Sequence, residues 1–172
     1  SGMELGFRKG RFLLPRGLLA GQKLAVALST LAVPVAGIAE FDRLPTPLRV
    51  VATDIETGEA VVLDRGVLAD AIRASMAIPG IFSPVEIGGR LLVDGGLAAN
   101  LPVEAALAMK PDVIIAVDVG SPLARRRNLR SVVDITQQLL TIVNKQNVER
   151  QLRHMRPGDI LIHPDLSGVA AG

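Results

Sequence analysis

Residues 84–109 read PVEIGGRLLVDGGLAANLPVEAALAM. Two short apolar runs, PVEI and RLLV, flank Gly88-Gly89, which predicts a strand pair closed by a tight turn. The second run ends on an acid, Asp94, followed by Gly95 and Gly96. A helix over 100–109 is expected next, with Asn100 near its N-cap and Pro102 in its first turn, where a missing N–H does no harm. Sites in α/β proteins gather where strands deliver side chains to the edge of a sheet. Asp94 has that placement, and the two glycines would turn the backbone sharply and leave open space beside the carboxylate. Asp-Gly also serves many ordinary turns, so the motif alone leaves turn and catalytic base both open.

The flanking sequence alternates in the same way. On the N-terminal side, 18–33 carries apolar residues at helical spacing until Pro34 stops it, and FDRLPTPL (41–48) is a loop punctuated by two prolines. The segment 48–63 predicts two strands around the polar turn Glu56-Thr57-Gly58-Glu59, and 67–77 predicts a helix ended by Pro79-Gly80. On the C-terminal side, DVIIAVDV (112–119) reads as a strand inside a sheet covered on both faces. Ser131 and Asp134 form a capping-box pattern that opens a long helix running through Leu152, and Pro157-Gly158 closes it. DILIHP (159–164) is the last strand. Alternating apolar strands and helices imply an α/β layered sandwich with a largely parallel or mixed central sheet. The sequence contains no repeat and no linker long enough to separate two domains.

Composition narrows the function classes. The chain has 172 residues, 49% hydrophobic and 21% charged, enough for one domain with a real core. Aromatic content is 2%, without Trp or Tyr, which argues against a nucleic-acid binder built on stacking platforms. There is no cysteine, so neither disulfides nor thiolate metal sites arise. Net charge is +2, and ARRRNLR (124–130) concentrates four arginines in seven residues. That run reads as a solvated loop, with contact to anionic headgroups as the alternative. No uncharged run reaches the roughly 18 residues needed to span a bilayer. The opening SGMELGFRKGRF starts abruptly, which suits either a vector scar at Ser1-Gly2 or an interior piece of a longer protein.

Most other candidate side chains have bland readings. His154 and His163 lack neighbours at metal-ligand spacing, and Asp54 and Asp118 stand at strand ends where carboxylates cap loops. No GxGxxG or phosphate-loop pattern accompanies the glycine pairs, so nucleotide binding is weakly supported.

The ordered set Arg73-Ala74-Ser75, Pro79, Phe82-Ser83-Pro84-Val85, Asp94-Gly95-Gly96, Asn100 and Pro102 resembles the second half of the patatin-like phospholipase family. The segments VVATDIETGEAVVL and DVIIAVDVGSP are similar to it as well, and the flanks look most like bacterial patatin domains, some of them fused to an outer-membrane β-barrel. The resemblance implies a three-layer sandwich and a serine–aspartate dyad, with Asp94 as general base, Gly95 and Gly96 shaping its turn, and neither metal nor cofactor. It implies a lipid or phospholipid acyl ester as substrate, attacked by a serine in a Gly-x-Ser-x-Gly elbow beside a glycine-rich oxyanion loop.

This chain contains no Gly-x-Ser-x-Gly. Ser75 comes nearest, but Arg73 and Ala77 occupy the glycine positions. The expectation is therefore the C-terminal part of one patatin-like domain spanning 1–172, without the first strands and the nucleophile helix, and inactive alone. A companion N-terminal segment or a homo-oligomer would then cover an unpaired edge and bare face at DVIIAVDV. The alternative is a non-catalytic lipid- or membrane-surface-binding or assembly module.

Overall fold

The computed structural model describes residues 6–8, 11–13, 16–120, 122–125 and 130–165. The expectation for Ser1-Gly2 and most of that for the arginine run, at 126–129, lie outside the described residues. The chain divides into two compact units, Ser1–Gly95 and Gly96–Gly172.

The first unit opens with β1 (Gly6–Arg8) paired antiparallel to β2 (Arg11–Leu13), then α1 (Arg16–Ala32). Pro34 falls in a 3-10 turn, Val33–Val35, so the proline ends α1 where the sequence expects it. A four-stranded sheet follows, built from β3 (Val50–Asp54), β4 (Ala60–Leu63), β5 (Val85–Ile87) and β6 (Arg90–Asp94) in the order β4-β3-β6-β5. Helix α2 (Leu68–Ser75) packs on that sheet through the small side chains Ala71 and Ala74. The core joins them to Phe41, Val50, Ala52, Leu63, Ala77, Val85 and Leu92, with Phe41 and Leu92 wholly enclosed.

The α/β class holds; against the expectation of a largely parallel or mixed sheet, every pairing in this sheet is antiparallel, and the parallel pairing lies in the second unit. Two of the three pairings, β3 with β4 and β5 with β6, follow from their connections, because short links can only reverse the chain. Gly88 and Gly89, at φ 60° and 74°, form a two-residue hairpin between β5 and β6, the doubly left-handed geometry that glycine tolerates. Residues 55–59 link β3 to β4, with Gly58 at φ 75° donating its N–H to the Asp54 carbonyl at 2.8 Å.

The second unit holds α3 (Gly96–Ala99), α4 (Val103–Ala108), β7 (Ile115–Val117), α5 (Val132–Leu152) and β8 (Ile160–Ile162). Here the parallel expectation is met: β7 and β8 pair parallel, joined through α5. Val103, Ile114 and Ala116 form its core with Leu101, Leu107 and Met155. The capping box of α5 is formed as expected, Ser131 accepting the Asp134 N–H while the Asp134 carboxylate accepts the Ser131 N–H.

Two expectations need correction. DVIIAVDV is not covered on both faces, in keeping with the bare face expected of a chain without its first strands: Ile114 and Ala116 are buried, whereas Ile115 and Val117 are 62% and 45% exposed. Its paired core is three residues, and β8 is its partner among the described residues. The helix expected over 100–109 starts at Val103, with Pro102 as an N-cap that offers no side-chain bond. Asn100 therefore does not cap it; the Glu104 N–H is met instead by the Gln151 side chain of α5 at 3.0 Å.

Candidate functional site

Asp94 is the last residue of β6, opposite Ala52 on the buried strand β3. Its main chain is held on three sides. The Asp94 N–H donates to the Ala77 carbonyl at 3.0 Å, and the Gly95 N–H donates to the Ser75 carbonyl at 3.1 Å. The Asp94 carbonyl accepts from the Thr53 hydroxyl at 2.8 Å. The Arg-Ala-Ser segment thus matters here through its main chain, because the end of α2 supplies carbonyls that tie down the end of β6. Asp94 is half-buried, with its backbone fixed.

The two glycines are held in different surroundings. A Cβ on Gly95 would lie 2.2 Å from the Val51 carbonyl oxygen and 2.8 Å from its carbon. Gly95 is required for close approach of two backbones, because Val51 occupies the place a Cβ would take. Gly96 is buried and opens α3.

Helix α3 is one turn long, too short to satisfy its own carbonyls. Helix α5 does so from 50 residues away in sequence: Asn147 Nδ2 donates to the Gly96 carbonyl at 3.2 Å and to the Leu97 carbonyl. Arg150 donates to the Ala98 carbonyl at 2.9 Å and to Asn147 Oδ1 at 2.8 Å. Neither residue stands out in the sequence, since polar positions on a long helix look like a solvated face. Asn147 and Gln151 lie beside Val148 on the buried side of α5.

The remaining candidates have structural roles. Asp54 Oδ1 accepts the Glu56 N–H at 3.0 Å and Asp118 Oδ1 accepts the Gly120 N–H at 2.9 Å, so both cap loops as expected. His154 sits 3.6 Å from Glu104, and His163 3.5 Å from Asp118. Asn100, Asp118 and His163 share an open cleft of about 670 Å³ with Thr141, Asn144 and Lys145 of α5. Among the described residues, no three His, Asp or Glu side chains converge as a metal site.

Residues 3–107 match the patatin-like phospholipase family, and the chain belongs to it. It is 42% identical over 104 residues to an uncharacterized NTE family protein of Mycobacterium tuberculosis, covering 60% of this chain and 28% of the relative. It is 29% identical over 143 residues to the lysophospholipase NTE1 of Debaryomyces hansenii, covering 69% of this chain and 9% of that protein. The patatin-like phospholipase domain-containing protein 7 of Rattus norvegicus is 38% identical over 84 residues, 48% of this chain and 6% of its own length. The chain thus spans about a quarter of the mycobacterial relative's length.

Proposed function

We propose that this chain supplies the base of a serine–aspartate dyad in a lipid acyl hydrolase, with Asp94 as that base. The observation that carries the reading is the Asp94-Gly95-Gly96 turn, fixed at the end of β6 by Thr53, Ser75 and Ala77 within the span that matches the family. The nucleophilic serine and the oxyanion loop come from sequence outside residues 1–172, because no Gly-x-Ser-x-Gly occurs within them. On this reading, 1–172 is the C-terminal part of a single patatin-like domain.

The chemistry follows from a carboxylate facing a serine. As the serine oxygen attacks the ester carbonyl, Asp94 takes the hydroxyl proton, and oxyanion donors stabilise the tetrahedral intermediate. Collapse breaks the ester C–O bond, Asp94 returns the proton to the leaving alcohol, and an acyl-enzyme remains. Water then attacks with its proton passing to Asp94, and the fatty acid leaves as the serine regains that proton. The substrate class is a phospholipid or lysophospholipid ester, a reading supported by the names of the yeast and rat relatives. No step needs a metal or cofactor.

The test measures fatty-acid release from a phospholipid by the longer parent polypeptide and by residues 1–172. Asp94→Asn should lower kcat in the parent by about 100-fold or more with folding intact, and residues 1–172 alone should release none. Turnover by residues 1–172 that survives Asp94→Ala would overturn the assignment.

A further inference from the structure

The peptide plane that joins Asp94 to Gly95 is held at both edges. Its carbonyl accepts from the Thr53 hydroxyl at 2.8 Å, and its N–H donates to the Ser75 carbonyl at 3.1 Å. The plane before it, between Val93 and Asp94, is held by the Asp94 N–H, 3.0 Å from the Ala77 carbonyl. A residue has two soft backbone dihedrals, and fixing both flanking planes sets them. The direction in which the Asp94 side chain leaves the backbone is thereby set as well.

Sheet pairing alone does not account for this. The ladder between β5 and β6 ends at Val85 and Leu92, and Ala52 with Asp94 is the last pair between β3 and β6. Asp94 stands where both ladders stop. Thr53 is 3% exposed, and a buried hydroxyl costs free energy unless it is bonded; its proton goes to the Asp94 carbonyl. Of the three partners that hold the two planes, those from Ser75 and Ala77 are main-chain carbonyls, whereas Thr53 acts through its side chain. All of these residues lie in Ser1–Gly95, so the arrangement is made inside the first unit.

We propose that Thr53 is a positioning residue for proton transfer, aiming the Asp94 carboxylate at the serine hydroxyl by fixing the Asp94–Gly95 peptide plane. The inference rests on Asp94 as the base of the dyad. A general base works within about 2.6–3.2 Å of the proton's donor, and a misplacement of about 1 Å costs about 100-fold in rate. With the plane held at one edge, the carboxylate spends less time in reach of the hydroxyl. Thr53 is buried, so its loss falls on kcat and leaves ester binding in place.

The test measures kcat and KM of the longer parent polypeptide on p-nitrophenyl butyrate, at a temperature where circular dichroism shows every variant folded. Thr53→Val should lower kcat by about tenfold or more with KM little changed, and Thr53→Ser should restore it. Thr53→Ala set against Thr53→Ser, two variants that differ by the hydroxyl alone, makes the same comparison without the extra methyl of valine. On an Asp94→Asn background Thr53→Val should lower kcat no further, because no base is left to aim. Folded Thr53→Val and Thr53→Ala proteins with wild-type kcat, beside an Asp94→Asn protein that has lost activity, would overturn the inference and leave the dyad standing. An equal loss from Thr53→Val with Asp94 and with Asn at that position would reduce Thr53 to a packing role. Wild-type activity in Asp94→Asn would instead remove the dyad itself.

Discussion

The hydroxyl of Thr53 donates a 2.8 Å hydrogen bond to the carbonyl of Asp94, tying the last residue of β6 to the buried strand β3. Thr53 is itself almost wholly buried, so water cannot easily replace this donor. Thr53→Val keeps the shape and removes the hydroxyl. It should cost about 1–3 kcal/mol in stability, measured as a lower denaturant midpoint at unchanged slope. Thr53→Ser should recover most of the loss; an equal loss in both variants would assign the effect to packing.

Gly95→Ala should be more damaging than its size suggests. The new methyl would meet the Val51 carbonyl at 2.2 Å, and Val51 belongs to a strand paired on both sides. Overpacking against immobile backbone should cost about 3 kcal/mol. Soluble, cooperatively unfolding Gly95→Ala protein with a wild-type midpoint would show that β3 and β6 separate freely.

Asn147→Ala removes the amide that serves the Gly96 and Leu97 carbonyls. A cost of about 2 kcal/mol is expected, chiefly for the Leu97 carbonyl that loses its donor. Amide hydrogen exchange across 96–99 should accelerate selectively. Unchanged exchange there would mean that α3 holds itself.

Asp159 predicts a pH dependence. Its side chain is 2% exposed and accepts hydrogen bonds from the Arg156 guanidinium, the Arg156 N–H and the Ile114 N–H, which hold its pKa down at about 2. An unfolded aspartate titrates near 3.9. A folded value below the unfolded one adds stability that is fully present above about pH 4. That contribution is lost as pH falls through the folded value of about 2. Asp159→Asn should flatten the stability profile between those limits. An identical acid profile for wild type and Asp159→Asn would remove Asp159 as its source.

Local signals in the sequence were reliable where the physics is local. Gly88-Gly89 specified its hairpin, Pro34 ended α1, and Ser131 with Asp134 capped α5, because each acts within a few residues. The antiparallel pairing of β3 with β6 was not legible, since the two strands are distant in sequence and apolar alternation does not give pairing order. The cap of α4 and the support of α3 were invisible for a related reason. Gln151 and Asn147 act across 47 and about 50 positions, and nothing in their neighbourhood marks them as buried. Asp94 was legible as a candidate through its motif, but its anchoring by Thr53, Ser75 and Ala77 was not.

The contact between Gly95 and the Val51 carbonyl bears on how mutational scans of this chain should be interpreted. A saturation library scored for activity would record Gly95 and Asp94 as equally intolerant, and the two signals would look like one catalytic motif. On the proposed function they differ in origin, and only Gly95 should also fail a scan scored for soluble expression. Running both screens in parallel separates intolerance imposed by crowded backbones from intolerance imposed by proton transfer, at adjacent positions of one motif.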